Sequence, residues 1–279
     1  DSSDVTTGGD LQVTATDSGQ VIASQAFGVA VSAAFAPESA SIAIGASQAT
    51  AEIRNDVAAL ITSDSTEPRV ITVGGDLSVK AISTPEISGV EAIAVSVSAS
   101  VYGAAGGGIG LSNTIANAVT ATIDGPVAVA AAGDVEVLAE DNASLAADAV
   151  ATTVAVSIGA ALGISIVSNT VQSTISAGVG GSSFTSIESK TGGITIGAKS
   201  VAIVKKTRTV GVSASVLAGI DVNTANVTIA STAKASTKSA ALTANKGRVS
   251  ITATGTNTAH VEADGGVGGG IAAGAMIAG

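Results

Sequence analysis

GGDLSVKA occupies residues 74–81, and variants of it recur along the chain: GGDLQVTA from Gly8, GDVEVLA from Gly133, GGITIGA from Gly192 and GRVSITA from Gly247. Each opens on glycine, which accepts the positive φ of a tight turn. Three continue with Asp10, Asp76 or Asp134, a residue able to bond its own backbone. Apolar and polar residues then alternate, with Leu77, Val79 and Ala81 against Ser78 and Lys80. A period of two predicts a strand with one buried and one wet face. The first apolar residues are Leu11, Leu77, Val135, Ile194 and Val249, at intervals of 66, 58, 59 and 55 residues. A phrase returning at such a period predicts repeats that each pack on their neighbours.

Between these starts lie nearly uncharged stretches: SQAFGVAVSAAFA (24–36), EAIAVSVSASVYG (91–103), ATTVAVSIGAALGISIV (151–167) and VGVSASVLAGIDV (210–222). Their alternate positions are small on both faces, which predicts strands covered on both sides. In the first stretch Phe35 to Glu38 interrupts the run. A third phrase follows: NTIANAVTATI (113–123), NTVQSTI (169–175) and NTANVTI (223–229). Asn117, Asn169 and Asn223 each precede an isoleucine by six residues, Ile123, Ile175 and Ile229, and Ser47 stands in the same relation to Ile53. Asparagine suits a left-handed turn or a ladder of stacked amides. The phrase is therefore expected to mark one structural corner per unit.

Composition agrees with this. The 279 residues are 46% hydrophobic but 1% aromatic, with 34 Gly and no Cys. A core of Ala, Val, Ile and Gly suits layers that approach closely, and branched side chains favour strands. The expected fold is all-β: a repetitive β-solenoid of four to five quasi-repeats around a thin Ala/Val/Gly-rich core. Residues 1–279 form a single repetitive domain, with units at about 8–73, 74–132, 133–191, 192–246 and a partial 247–279. The tail VGGGIAAGAMIAG matches the small-residue stretch and stops before the Asn phrase, an arrangement expected either of a piece of a longer array or of open ends that join other subunits. No disulfide or thiol metal site is available. Apolar runs such as VAVSIGAALGISIV (154–167) are too short for a membrane helix.

The formal net charge of −10 argues against nucleic acid as a partner. Residues 1–188 hold 3 basic and 19 acidic side chains, a net −16, whereas residues 189–279 hold 9 basic and 3 acidic, a net +6. Complementary halves favour head-to-tail contacts, which form filaments when they do not close. Chemistry is sparse. His260 is the one neutral-pH proton shuttle, with Glu262 and Asp264 at strand spacing beside it, and reads as a solvated strand face. Glu136, Glu140, Asp141 and Asp148 read as an acidic wet face rather than a hydrolase groove. Asp10, Asp76 and Asp134 read as turn caps, without the spacing of calcium-binding solenoids. GAAGGGIG (103–110) has no βαβ setting for a nucleotide. Lys205, Lys206 and Arg208 are the candidate surface-binding residues, facing anionic glycans. No catalytic residue, metal or cofactor is assigned.

The unit resembles the repeats of large filamentous adhesins of the leukotoxin type, found in autotransporter and two-partner-secretion passengers. Asn113, Thr114, Ile115, Asn117, Ala121 and Ile123 match the family's NTI-x-N phrase, and Gly74, Gly75, Leu77, Val79 and Ala81 its strand start. The resemblance implies an exported, rod-like, non-catalytic protein at the bacterial cell surface or in the extracellular matrix. Its partners would be itself, neighbouring repeats or cell-surface glycans.

Overall fold

The structure is a computed structural model that describes residues 3–34, 36, 38–156, 159–181 and 183–279. The chain is all-β, its strands following one another in a fixed order. The first pass comprises β1 (Val5–Thr7), β2 (Leu11–Asp17), β3 (Gln20–Val21), β4 (Ser24–Ala33), β5 (Ala40–Ile53) and β6 (Asp56–Thr62). The second is β7 (Arg69–Val73), β8 (Leu77–Ser83), β9 (Glu86–Ala99), β10 (Tyr102–Ile115) and β11 (Ala118–Asp124). The third is β12 (Val127–Ala131), β13 (Val135–Val156), β14 (Ala160–Val171) and β15 (Thr174–Val179). The fourth is β16 (Thr185–Ser189), β17 (Ile194–Ser215), β18 (Ala218–Ile229) and β19 (Thr232–Thr237). Then come β20 (Ala240–Ala244), β21 (Val249–Gly268) and β22 (Ile271–Ala278). Phe35 and Pro37, part of the interruption in the first stretch, lie outside the described residues.

These strands form four sheets. A base sheet orders β1-β7-β12-β16-β20, a facing sheet β5-β10-β14-β18-β22 and a short sheet β6-β11-β15-β19. A long sheet orders β2-β8-β13-β17-β21, with β3, β4 and β9 continuing its outer part. All strand pairings are parallel. Leu11, Leu77, Val135, Ile194 and Val249 are successive register partners across the long sheet. The recurring glycine-led phrase is thus one column of stacked strand starts. Parallel strands cannot be joined by tight hairpins, and here each partner strand lies a whole pass away.

The long sheet is irregular at one level on two of its strands, and on β9 an extra residue stands between Ile87 and Val90, the partners of Leu145 and Ala147. Val204 pairs with Leu145 and Lys206 with Ala146, so Lys205 is an extra residue on β17. Before it Ala202 and Val204 point inward, and after it Thr207 and Thr209 do. Because strand side chains alternate with period two, one inserted residue restores the inward face that the downstream sequence needs.

The buried hydrophobic side chains are all Ala, Val, Ile or Leu, and the three described aromatic residues, Phe27, Tyr102 and Phe184, are exposed. They form two main clusters. One, including Leu77, Ile123, Val135, Ile187 and Ile194, fills the space between the base, short and long sheets. The other, including Ile87, Ile115, Leu145 and Val171, lies between the long and facing sheets. Ser83, Asn117, Asp141 and Ser173, all buried, stand between the two clusters. Turns between the sheets hold glycines under close approach. Gly125 has φ +96°, and a Cβ there would fall 2.1 Å from the Ser63 carbonyl oxygen.

Candidate functional site

The first two Asn phrases stack from Asn113 on Asn169, and the third is displaced by four residues. Asn113 pairs with Asn169, Asn169 with Val227, and Asn223 with Ser165. Asn117 lies in the break between β10 and β11, while Asn169 and Asn223 sit inside β14 and β18. The expectation that Asn117, Asn169 and Asn223 form one repeated corner is therefore corrected: they occupy positions offset by four residues. Ile123 pairs with Val179, Ile175 with Val119, and Ile229 with Val171, so the isoleucines follow the same offset. The physical reason is the strand period. A shift of four keeps the inward face, so each copy satisfies the core equally well and sequence matching cannot separate the registers.

All three asparagines instead serve buried polar contacts. Asn113 Nδ2 donates to Asn169 Oδ1 at 2.9 Å, and Asn169 Nδ2 donates to Thr207 Oγ1 at 2.6 Å. This spans the gap between the facing and long sheets. Asn117 Nδ2 donates to Ser83 Oγ at 3.0 Å, and its Oδ1 accepts the Asn55 amide at 3.1 Å. Asn223 donates to Asp221 Oδ2 at 2.6 Å and to the Asp264 carbonyl at 2.8 Å. Burial pushes the Asp221 carboxyl upward in pKa, against the hydrogen bond from Asn223. Beside Asn117, burial likewise raises Asp141, opposed by Ser173, Asn117 and Ser83. Removing polar groups from water favours their neutral forms.

The acidic cluster divides by parity. Glu136, Glu140 and Asp148 point outward and meet Lys80 at 2.7 Å, Lys199 at 2.5 Å and Lys206 at 2.8 Å on adjacent strands. Lys199 holds the Glu140 carboxyl below its ordinary value. Asp141 points inward into the polar wall, so it departs from the wet face assigned to it with the other three.

The basic residues are similarly engaged. Lys205 lies 3.5 Å from Glu86 and Lys206 2.8 Å from Asp148, while Arg208 lies 3.3 Å from Asp264 and 3.6 Å from Glu262. Three cations on β17 thus face four carboxylates carried by three other strands. Exposed pairs of this kind contribute at most about 1 kcal/mol each. His260 is exposed and lies opposite the Lys205–Lys206 irregularity, while Glu262 and Asp264 turn to Arg208.

At the glycine turns Asp10 Oδ1 accepts the Asp76 amide at 2.9 Å, Asp76 Oδ1 the Asp134 amide at 2.7 Å, and Asp134 Oδ1 the Gly193 amide at 2.7 Å. Each carboxylate caps the main chain of the next pass, which is what recurring Asp at this position does here. Among the described residues no group of three or more His, Asp or Glu is arranged to hold a metal ion.

One feature escaped notice in the sequence. Gly106, Gly108 and Gly110 of β10 all point outward, and a Cβ on Gly108 would meet nothing within 4 Å. Their register partners on β14 are all bulky, Leu162, Ile164 and Ile166, while on β5 they are Ile44, Ala46 and Gln48. The signal was glycine at every second residue of a strand, which strips one face and leaves the other intact. No family model matches the chain, and no match is found among curated proteins or solved structures.

Proposed function

We propose that the chain is a β-solenoid of four to five quasi-repeats that serves as a non-catalytic structural segment of a bacterial cell-surface or extracellular fibre. One observation carries the reading: strands one pass apart pair in parallel through all four sheets, with column partners such as Leu77 and Val135 in continuous register. A body built this way lengthens by adding passes, because each pass offers the next a full set of main-chain donors and acceptors. The next pass comes from flanking sequence or from another copy. Edge charge favours a polar order. Around β2 to β6 stand Asp10, Asp17, Glu52 and Asp56 with Arg54 among them, and around β19 to β21 stand Lys234, Lys238, Lys246 and Arg248 with Glu262 and Asp264 among them. Opposite charge fixes polarity while main-chain pairing supplies strength. The likeness of the NTI-x-N phrase to filamentous adhesin repeats supports the same reading.

Negative-stain electron microscopy of the 279-residue chain, at low and high salt, tests it. Fibres that shorten in salt are the expected outcome for end-to-end assembly, and rods of one fixed length for a segment whose neighbours belong to the same longer chain. Compact particles under both conditions would sink the proposal.

A further inference from the structure

Along the first half of its strands, the outer face of the facing sheet is apolar where an ordinary solvated sheet would be polar. Ile42 and Ile44 on β5 are 68% and 73% exposed, and Leu162, Ile164 and Ile166 on β14 are 37% to 46% exposed. Along the β14 ridge runs the bare floor of β10, where Gly106, Gly108 and Gly110 lie level with Leu162, Ile164 and Ile166; on the β5 side Ile44 walls Gly106, and Ala46 and Gln48 lie beside Gly108 and Gly110. On the far side of β14, Ile220 of β18 continues the row of Leu162 and is 45% exposed. No outward position in these rows is charged. A contiguous apolar surface of this kind marks a contact site.

We infer that this face is the contact by which two copies of the chain associate side to side. Ridge and groove are neighbours on the same sheet, so the surface is complementary to itself. A two-fold axis parallel to the strands, midway between β10 and β14, sets each β14 ridge over the other copy's glycine groove. The same axis preserves the rows, bringing Leu162, Ile164 and Ile166 onto Gly106, Gly108 and Gly110. It also lays β5 of one copy over β18 of the other, Ile44 against Ile220. Interfaces in which one patch meets itself are the usual basis of two-fold dimers. Four strands at their ordinary spacing, over about eight residues each, present about 500 Å² per copy. The total of about 1,000 Å² stands at the lower limit for a specific interface, so a single pair is expected to be weak and to strengthen as passes are added. A bilayer is the poorer occupant. The apolar run on β14 is Ala160 to Ile166, shorter than the roughly 9–11 residues that a membrane-crossing strand needs. The contact is distinct from end-to-end growth, which uses strand edges and charge rather than a sheet face.

Sedimentation equilibrium over about a hundredfold range of concentration, in the micromolar region that such an area supports, is the test. Two variants accompany the wild type. Gly108→Val fills the groove with a strand-favouring residue whose Cβ meets nothing within 4 Å in the single copy, and Ile164→Thr lowers the ridge while keeping its branched Cβ. The wild type is expected to dimerise, with association undiminished in high salt, and each variant to weaken it at least tenfold while circular dichroism and melting stay unchanged. If fibres form, Gly108→Val should leave their length intact and convert paired fibres to single ones. A wild type that stays monomeric at every concentration, or a Gly108→Val variant that pairs as tightly, overturns the inference. So does association that salt abolishes, or a monomer that pellets with phosphatidylcholine vesicles.

Discussion

Asn113 and Asn169 are register partners on adjacent strands, and the side-chain nitrogen of the first donates to the side-chain oxygen of the second at 2.9 Å with both residues fully buried. The pair continues to Thr207 on the opposite sheet, so one polar thread joins two passes and two layers. A buried amide is costly unless paired, and that cost ties the strands to a single register.

Asn169→Ala removes an acceptor from Asn113 and a donor from Thr207 together. The expected loss is about 1–3 kcal/mol, since buried polar groups are left without partners. Urea unfolding measures it, and a wild-type midpoint would show that the thread adds nothing.

Asp141→Asn is expected to stabilise the chain at neutral pH. Burial raises the folded carboxyl above its ordinary value of 3.8, so the folded state holds its proton more tightly than the unfolded one. Stability from this group is fully present below 3.8 and is lost as pH rises through the higher folded value. The neutral amide avoids that loss. Melting temperatures of both forms should therefore diverge as pH rises and converge in acid; parallel curves would exclude the ionisation of Asp141 as the cause.

Asp76 tests the turn ladder. Its Oδ1 caps the Asp134 amide at 2.7 Å, and Asp76→Ala should cost about 0.5–1.5 kcal/mol, whereas Asp76→Asn, which keeps an acceptor, should cost less. Because the oxygen is already occupied by an amide, a chelator is expected to leave the melting temperature unchanged. A drop on chelation would make these turns metal sites.

Ala149 tests the spacing of the two layers. It is fully buried and pairs with Ala92, so Ala149→Leu should destabilise by about 1–3 kcal/mol through overpacking. Leu145→Ala, in the same cluster, should cost about 2–5 kcal/mol through the cavity it leaves. Phe27→Ala, on a side chain that is 63% exposed, is expected to stay within about 0.5 kcal/mol of wild type.

Much of the strand pattern was legible in the residues. Gly74-Gly75-Asp76 and its kin announce a turn, and the alternation from Leu77 to Ala81 announces which face is buried, because both signals are local. The five first apolar residues of these phrases prove to be one column, since a hydrophobic pattern of period two fixes the inward face wherever a core is present. The Asn phrases were misaligned for the same reason: a four-residue shift keeps every side chain on its own face.

What the tertiary structure alone decided concerns residues whose meaning depends on a neighbour a pass away. Asp141 belongs to an acidic run along the chain yet faces Asn117 in the interior, because its position is odd where Glu136, Glu140 and Asp148 are even. Lys205, Lys206 and Arg208 read as a basic patch until strands one or two passes away bring Glu86, Asp148 and Asp264 against them. Gly106, Gly108 and Gly110 become a groove only because Leu162, Ile164 and Ile166 rise beside them on another strand. Local sequence carries strand, turn and face through short-range sterics and side-chain period. Charge balance, polar pairing and surface shape are set between strands, by which pass lies beside which.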